Sequence, residues 1–189
     1  MVLSCEWIKE KMIYRIKYNS PKDFDDIWLE ADDGCLTGLW FEGSKDNPGR
    51  KHAYLEKSAP VLEEAKTWLD VYFSGREPDF TPKYRLDGLT PFQKEVYEIL
   101  NTIPFGKTMT YKEIAKIIAD QRNVLKMSSQ AIGKAIGLNP ICIIIPCHRV
   151  IDSDDSLKGY SGGIQNKAEL LRLEKEAMMS SIGRKEKLS

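Results

Sequence analysis

A change of pattern at residues 74–82 (SGREPDFTP) constrains the fold more than any other feature of the chain. This segment is rich in turn-forming residues and predicts a linker. Before it, short runs of β-forming residues alternate with turn clusters, and an apolar stripe with helical spacing runs from Pro60 to about Phe73. The predicted strands are Met12–Tyr18, Asp26–Glu30 and Leu36–Phe41. After it, helical patterns dominate, so the two halves of the chain are predicted to fold differently.

We therefore predict an α+β fold with two domains. A mixed α/β domain with a small β-sheet occupies residues 1–85, and the linker covers about 74–88. A mainly helical domain follows over residues 86–180, and residues 181–189 form a polar tail. With 189 residues and 42% apolar content, the chain is long enough to bury a hydrophobic core.

The second half carries clear signals for helix starts. Thr90 with Gln93, and Thr110 with Glu113, have the spacing of capping boxes, and Ser128 is placed to cap a further helix. The predicted helices begin at Pro91, cover Tyr111–Ala119 and Ser129 to about Ile136, and end with Asn166 to about Met178. The two short consecutive helices, of which the second is rich in small residues, predict a helix-turn-helix unit of the winged-helix kind.

Basic residues are concentrated between positions 106 and 150. The whole chain has 28 Lys and Arg against 28 Asp and Glu, so its composition alone does not indicate a nucleic-acid-binding protein. Within 106–150, however, seven basic residues stand against two acidic ones. The basic residues are Lys107, Lys112, Lys116, Arg122, Lys126, Lys134 and Arg149. Such a segment indicates a phosphate-facing surface, although charge alone more often marks a solvated face.

The cysteine pattern predicts free thiols in a reducing compartment. The four cysteines are Cys5, Cys35, Cys142 and Cys147. They have no regular spacing, and the sequence shows neither a secretory segment nor an apolar run that could cross a membrane. We therefore expect a cytoplasmic protein with no membrane association. No metal site is predicted, because no CxxC pair occurs and His52 and His148 are the only histidines.

The residues around position 147 combine a thiol, a base and a carboxylate. An apolar run, Ile141–Ile145, predicts a buried strand, and Cys142 and Cys147 would face opposite sides of this extended segment. Cys147 is followed by His148, and Glu174 falls on the apolar face of the last helix, where a carboxylate needs a partner. Cys147, His148 and Glu174 can thus form a nucleophile, a base and an orienting group, with water between the first two. The plainer interpretation is a buried cysteine beside a surface histidine.

Several ordered motifs surround this group. They are Phe92-Gln93 with Val96, Ile103-Pro104-Phe105-Gly106, Tyr111-Lys112-Glu113-Ile114-Ala115, Asn139-Pro140, Ile145-Pro146-Cys147-His148-Arg149-Val150, Gly159-Tyr160-Ser161-Gly162-Gly163 and Leu170-Leu171-Arg172-Leu173-Glu174. In order and spacing they are similar to the signature of the O6-alkylguanine-DNA alkyltransferase family. The resemblance is dense from Leu89 to Glu174, whereas the N-terminal half matches only in size and general character.

This resemblance implies direct DNA repair by a monomer that needs no cofactor. An alkylated guanine, and by extension O4-alkylthymine, would be flipped from double-stranded DNA, and its alkyl group would pass irreversibly to Cys147. His148 and Glu174 would activate Cys147 through water. Asn139 would hold the turn before the predicted strand Ile141–Ile145, and Tyr111 would donate a proton near guanine N3. The base pocket implied by the resemblance contains Val150, Tyr160 and Ser161.

The family also suggests how this chain would hold DNA. The implied DNA-binding and base-flipping residues are Ser129, Gln130, Ala131, Gly133 and Arg149. The helix over 129–136 would lie in the minor groove, where small residues let the backbone approach, although tight packing inside a protein would favour small residues equally. The family often has an arginine where this chain has Gln130. We expect Gln130 to fill the place of the flipped base, with less help from electrostatics.

Some relatives in this family bind zinc through two cysteines and two histidines of the N-terminal domain. Cys5 and Cys35 match the cysteines, but Trp40 stands at a likely histidine position and no second histidine is available. The expectation of no metal is therefore unchanged.

Three other classes of function compete with alkyl transfer. A lesion sensor related to the family would bind damage without transfer, but such proteins typically lack the acceptor cysteine, which Cys147 supplies here. A helix-turn-helix regulator would need longer side chains than Ser129, Ala131 and Gly133 for base readout. A cysteine hydrolase would turn over, whereas alkyl transfer to Cys147 stops after one equivalent.

Overall fold

The structure, a computed structural model, describes residues 12–44, 53–154, 156–157 and 159–185, with side chains described up to residue 180. Within these residues the N-terminal half contains an antiparallel sheet and one helix. The sheet has the order β1 (Ile13–Tyr18), β2 (Ile27–Asp32) and β3 (Cys35–Phe41). Asp33 and Gly34 connect β2 to β3 with φ angles of 43° and 72°, the left-handed pair that a tight hairpin turn requires.

One helix covers the sheet. Helix α1 (Pro60–Phe73) has the predicted bounds and begins with proline at its first position. Its buried face consists of Val61, Leu62, Ala65, Trp68, Leu69 and Tyr72. These side chains belong to the same hydrophobic core as the inner side of the sheet.

The C-terminal half contains four helices among the described residues. They are α2 (Pro91–Leu100), α3 (Tyr111–Gln121), α4 (Ser129–Gly137) and α5 (Ile164–Lys185). The capping boxes of Thr90 with Gln93 and of Thr110 with Glu113 are both formed, and Ser128 accepts a hydrogen bond from the Ala131 amide at 3.4 Å. The predicted helix starts of α2, α3 and α4 are therefore confirmed, whereas α5 begins two residues before and ends well after its predicted bounds.

Two short strands lie beside the segment Ile145–Val150, which carries Cys147 and is called the reactive segment below. Strand β4 (Met109–Thr110) pairs in parallel with β5 (Val150–Ile151), which follows a single 3-10 turn over Cys147–Arg149. This pairing joins the start of α3 to the end of the reactive segment. The predicted helix-turn-helix arrangement of α3 and α4 stays a prediction.

The predicted strand over Ile141–Ile145 is wrong. Ile141 forms one isolated parallel bridge with Leu39, and the chain then turns, so that the Ile145 amide donates to the Ile141 carbonyl at 3.1 Å. Ile143 adopts a φ of 68°, which a β-branched residue rarely does. Burial of the isoleucines in the shared core has overridden their preference for extended structure, and Cys142 and Cys147 are brought together instead of facing apart.

The two halves share one continuous core, although the predicted boundary near residue 85 stays a prediction. The outer edge of β3 receives two later segments of the chain: Leu36 bridges Tyr84 of the predicted linker, and Leu39 bridges Ile141 of the C-terminal half. The Leu39 amide donates to the Pro140 carbonyl at 2.9 Å, and the Cys142 amide donates to the Leu39 carbonyl at 2.8 Å. The N-terminal sheet is therefore a direct support of the segment that carries Cys147. Among the described residues, no helix is long and apolar enough to cross a membrane.

Candidate active site

Cys147 lies at the start of the 3-10 turn, directly after Pro146, and is 1% exposed. Its Sγ accepts a hydrogen bond from Asn139 Nδ2 at 3.0 Å. The same amide nitrogen donates to the Ile145 carbonyl at 3.0 Å, and Asn139 Oδ1 accepts from the Ile141 amide at 3.0 Å. Asn139 therefore holds both ends of the turn and the reactive sulfur with one side chain.

The surroundings of Cys147 favour its thiolate. A hydrogen bond from Cys142 lowers the pKa of Cys147 most, and it is opposed by burial, which raises it. The hydrogen bond from Asn139 and the positive charge of Lys167 lower this pKa further, so the net shift is downward. The pKa of Cys142 is raised well above its usual value, first by the hydrogen bond to Cys147 and then by burial. Cys142 thus keeps its proton and Cys147 is the thiol that ionises, which is a property of a reactive cysteine.

His148 and Glu174 form a buried pair, as the sequence predicted. His148 Nε2 lies 2.8 Å from Glu174 Oε1, and both side chains are fully buried. Burial raises the pKa of Glu174, but hydrogen bonds and charges from His148 and Arg149 outweigh this effect and lower it to about 2. An ionised carboxylate only accepts hydrogen bonds, so Nε2 of His148 carries a proton and Nδ1 carries the lone pair.

Burial keeps His148 neutral in the resting protein. It lowers the pKa of His148 more than the neighbouring Glu174 raises it, and Arg149 and Lys167 lower it further. A neutral imidazole with its Nε2 proton held by a carboxylate is oriented to accept a proton at Nδ1. The surface histidine of the plainer interpretation is not observed.

The structure corrects the prediction that Arg149 contacts DNA. Arg149 is 9% exposed and points into the protein, where Nε lies 3.0 Å from Glu174 Oε2 and Nη2 lies 3.0 Å from Oε1. Its Nη1 donates to the Ile103 carbonyl at 2.6 Å. Buried guanidinium groups need such partners, so Arg149 is committed to the Glu174 carboxylate and is not on the surface. The Gly106 amide also donates to Glu174 Oε2, at 2.8 Å.

Besides Cys142, which the predicted strand placed on the side away from Cys147, sequence reasoning missed Lys167 and Tyr72. Lys167 is completely buried, and its Nζ donates to the Val150 carbonyl at 2.6 Å and lies 6.0 Å from the ring centres of Tyr111 and Tyr160. Its position seven residues before Glu174 places it on the same face of α5, which is a signal that was available. Tyr72, from α1 of the other half, donates its hydroxyl to Glu174 Oε1 at 2.7 Å. An aromatic residue in an apolar helical stripe gave no such signal.

The predicted substrate residues lie around two adjoining depressions. One, of about 450 Å³, is lined by Tyr111, Ser129, Gln130, Gly133, Lys134, Asp152 and Gly159. The other, of about 590 Å³, includes Tyr160 and Ser161 and shares Gly133, Lys134 and Gly159 with the first. Ser129 and Gln130 are exposed on α4, and Ala131 is half-buried. Val150 is fully buried, and its carbonyl binds Lys167.

Two features shape the walls of these depressions. Burial, with the nearby negative charges of Asp152 and Cys147, raises the pKa of Tyr111 to about 12, so its phenol keeps its proton at neutral pH. A side chain at Gly162 would lie 2.7 Å from the Tyr160 ring and 2.8 Å from the Phe41 ring. Gly162 therefore allows strand β3 to pack against the loop that carries Tyr160 and Ser161.

Within the described residues, no group of three or more His, Cys, Asp and Glu side chains is arranged to hold a metal ion. Cys5 and His52, two residues of the kinds that bind zinc, lie outside the described residues. Cys35 is buried in β3.

Fold and site together define an α+β protein built around a buried cysteine whose pKa is lowered, next to the buried His148–Glu174 pair. The family model for the DNA-binding domain of 6-O-methylguanine DNA methyltransferase matches residues 91–176. The methylated-DNA–protein-cysteine methyltransferase of Mycobacterium leprae is 42% identical over 171 residues, which cover 90% of this chain and 98% of the relative. That of Methanosarcina acetivorans is 45% identical, over 86% of this chain and 98% of the relative.

Solved structures of proteins from Mycobacterium tuberculosis are also similar to this chain. The O6-methylguanine methyltransferase of Mycobacterium tuberculosis superposes with a TM-score of 0.74 at 37% identity, over 88% of this chain and 94% of that one. The same organism's OGT in complex with DNA superposes with a TM-score of 0.71 at 36% identity, over 87% and 94%. The chain belongs to the methylated-DNA–protein-cysteine methyltransferase family.

Proposed function

We propose that this protein reverses alkylation damage in DNA directly, by taking the alkyl group of O6-alkylguanine onto Cys147. One observation carries the proposal: the buried Cys147, whose pKa is lowered, lies beside the buried His148–Glu174 pair within the segment that matches the family model. A thiolate is a soft nucleophile suited to an alkyl carbon. The reaction is irreversible and stoichiometric, and O4-alkylthymine is a second substrate of the same kind.

The first step is extrusion of the damaged base from the duplex. Helices α3 and α4 act as a helix-turn-helix unit, and α4 enters the minor groove with Ser129, Ala131 and Gly133 toward the DNA. Gln130 fills the place of the flipped base. This role is supported by its exposure at the rim of the depression that also contains Tyr111. Flipping a base out of the duplex costs about a few kcal/mol. A side chain that fills the gap left by the base lowers this cost.

The second step is proton transfer and alkyl transfer. The Cys147 thiol proton passes through a water to Nδ1 of His148, and Glu174 stabilises the resulting imidazolium. The Cys147 sulfur then attacks the alkyl carbon, and the bond from that carbon to O6 breaks. Tyr111 donates its proton to N3 of the departing guanine and takes up a proton from solvent, while the imidazolium of His148 releases the former thiol proton to solvent, so both side chains return to their starting charge. The products are an S-alkyl cysteine and a neutral guanine.

Other elements act as support for these steps. Lys167 favours the thiolate by its charge, and Asn139 holds the sulfur in place. Val150, Tyr160 and Ser161 hold the flipped base. The N-terminal domain buttresses the reactive segment through β3. We further propose that the protein acts as a monomer without a cofactor, in the cytoplasm and on its DNA.

Intact-protein mass after incubation with duplex DNA that contains O6-methylguanine tests the proposal. We expect a single gain of about 14 Da, one methyl group in place of one hydrogen, that does not increase with excess substrate. Cys147→Ser should show no gain, and Cys35→Ser, which alters a cysteine of β3, should gain the same mass as the unchanged protein. Tight binding of the lesion without any gain would contradict alkyl transfer and indicate a sensor. Repeated turnover would indicate a hydrolase.

A further inference from the structure

The N-terminal half contributes a polar group to the buried pair of His148 and Glu174. We propose that Tyr72 is a positioning residue of the alkyl-transfer site, which reinforces the Nε2 tautomer of His148 that Glu174 sets and limits the pull of Glu174 on that proton. The proposal rests on the function proposed above. Tyr72 does not touch the reacting atoms, so its effect is exerted through His148 and Glu174.

The geometry determines what the Tyr72 hydroxyl does. Its oxygen lies 2.7 Å from Glu174 Oε1 and 3.3 Å from His148 Nε2. A phenol has one proton to donate, and the ionised Glu174 can only accept, so that proton points to Oε1. The phenol oxygen then presents a lone pair toward Nε2. The Nε2 proton of His148 therefore has two acceptors, Oε1 of Glu174 and the oxygen of Tyr72, and Nδ1 is left with its lone pair.

Packing holds the Tyr72 ring in this position. Tyr72 is 1% exposed. Its ring stacks on Trp68 with the ring centres 5.4 Å apart and the planes at 9°, and it meets Phe105 edge-on at 5.9 Å. The His148 ring is also edge-on to it, at 6.4 Å. With one residue from its own helix and two from the C-terminal half in contact, Tyr72 has little freedom to reorient.

The charges around the pair explain why a neutral donor is useful there. His148 faces Glu174, Arg149 and Lys167, and Tyr72 faces Glu174 and Arg149. Glu174 alone would attract a second proton to His148 and leave an imidazolium, which cannot accept the proton of Cys147. Donors from Tyr72, Arg149 and the Gly106 amide share the negative charge of the carboxylate. Burial first, and then Glu174, raise the pKa of Tyr72 well above its usual value, so the hydroxyl remains a donor.

Tyr72→Phe removes the hydroxyl and keeps the ring. The carboxylate then draws more strongly on His148, so the pKa of His148 rises and more of it is protonated at a given pH. We expect the pH at which the single-turnover rate of methyl transfer is half-maximal to rise by about one unit, the range expected when a hydrogen bond to a charged group is lost, so that the rate falls on the acidic side of the profile. The rate should recover at higher pH, because there His148 is neutral again.

Tyr18→Phe is a matched control. Tyr18 also donates its hydroxyl to a carboxylate, Asp70 Oδ1 at 2.8 Å, and its ring stacks on Phe73 of the same helix α1. It contacts neither His148 nor Glu174. If Tyr72 only stabilised the fold, both variants would lower the thermal unfolding midpoint and neither would move the pH profile. A pH profile of Tyr72→Phe that superimposes on that of the unchanged protein would overturn the proposal.

Nitrogen NMR of the histidine rings tests the proposal without DNA and therefore separately from the proposed function. In the unchanged protein at neutral pH we expect His148 to carry its proton on Nε2, with Nδ1 unprotonated. His52→Gln identifies which of the two histidine signals belongs to His148. A proton on Nδ1 would overturn the assignment even if Tyr72→Phe did not fold. A pKa of His148 that is the same in Tyr72→Phe as in the unchanged protein would also overturn the proposal, whereas failure of the unchanged protein to transfer methyl, with that pKa raised in Tyr72→Phe, would count against the proposed function only.

Discussion

The Glu174 carboxylate and the exposed end of α4 lie in the same half of the protein but differ in how their polar groups are engaged. Glu174 is fully buried and receives hydrogen bonds from Tyr72, His148, Arg149 and Gly106. Ser129, Gln130 and Lys134 are exposed along the rim of a depression. The groups proposed for the chemistry are already arranged by folding, whereas the groups proposed for recognition face solvent.

This difference has an energetic consequence. Every partner of a buried charge contributes to the stability of the fold, because a charge left without partners is costly in the interior. An exposed glutamine contributes little to stability and is available to meet a ligand. Substitutions around Glu174 should therefore change stability and reactivity together, whereas substitutions at the exposed end of α4 should change only the reaction on DNA.

Glu174→Gln should have the largest effect. It leaves the buried Arg149 without its carboxylate, so we expect a loss of about 3 to 5 kcal/mol in the free energy of unfolding. It also weakens the hold on His148, so methyl transfer should be almost abolished. Chemical denaturation and single-turnover kinetics measure the two effects. Loss of activity with unchanged stability would contradict this expectation, because the hydrogen bonds of Glu174 would then serve the reaction without stabilising the fold.

The same substitution should also change how the stability of the fold depends on pH. The pKa of Glu174 is about 2 in the folded protein against a usual value of 4.5, so the unfolded chain binds the proton more readily. Its contribution to stability is complete above pH 4.5 and is lost as the pH falls toward 2. The unchanged protein should therefore lose stability through this window, and Glu174→Gln should lose less. Denaturation midpoints of both proteins, measured at several pH values between about 2 and 5, show whether stability falls with falling pH and whether it falls less in Glu174→Gln.

Asn139→Ala should have the next largest effect. It removes the partner of the Ile141 amide and one of the two partners of the Ile145 carbonyl, which keeps the Cys147 amide, and we expect a loss of about 1 to 3 kcal/mol in the free energy of unfolding. It also removes a donor to the Cys147 sulfur, so the pKa of Cys147 should rise. The rate of alkylation of Cys147 by iodoacetamide as a function of pH measures that pKa. Asn139→Asp should raise it more, because a carboxylate near the sulfur disfavours the thiolate; an unchanged profile in both variants would contradict this role.

Cys142→Ala should act on reactivity more than on stability. The Cys142 thiol is the strongest of the influences that lower the pKa of Cys147, and its removal should raise that pKa. Because a thiol is a weak donor, we expect the rate of methyl transfer at neutral pH to fall only about two- to fivefold and to recover as the pH rises. Cys142→Ser, which keeps a donor, should lie closer to the unchanged protein. Equal rates for the alanine and serine variants at every pH would rule out the hydrogen bond as the cause.

The sequence allowed prediction of what depends on local pattern. The spacing of α5 placed Glu174 on the buried face, and the capping residues located the starts of α2, α3 and α4. It did not allow prediction of what depends on distant contacts. The turn over Ile141–Ile145 is set by Asn139 and by the edge of β3, which local preference for extended structure does not reveal.

The sequence did not reveal the roles of Arg149 and Tyr72, for related reasons. A basic residue in a basic segment is expected on the surface, and an aromatic residue in an apolar stripe is expected in the core. Each lies where it does because Glu174, from a helix later in the chain, needs donors in the interior. Pairing of buried polar groups is a property of the assembled fold, and a single sequence shows the need for a partner without showing which residue meets it.

Gln130→Ala should have the smallest effect on the protein and a selective effect on the reaction. Because Gln130 is exposed, the free energy of unfolding should change by less than about 0.5 kcal/mol. Methyl transfer from duplex DNA should slow about tenfold, since the cost of holding the flipped base rises. Transfer from single-stranded DNA should not change, because no gap in a duplex has to be filled. Gln130→Arg should speed transfer from duplex DNA and make binding more sensitive to salt. If Gln130→Ala slowed both substrates equally, Gln130 would be part of the base pocket and not the filler of the gap, and the contrast between a prearranged interior and an open recognition surface would lose its clearest member.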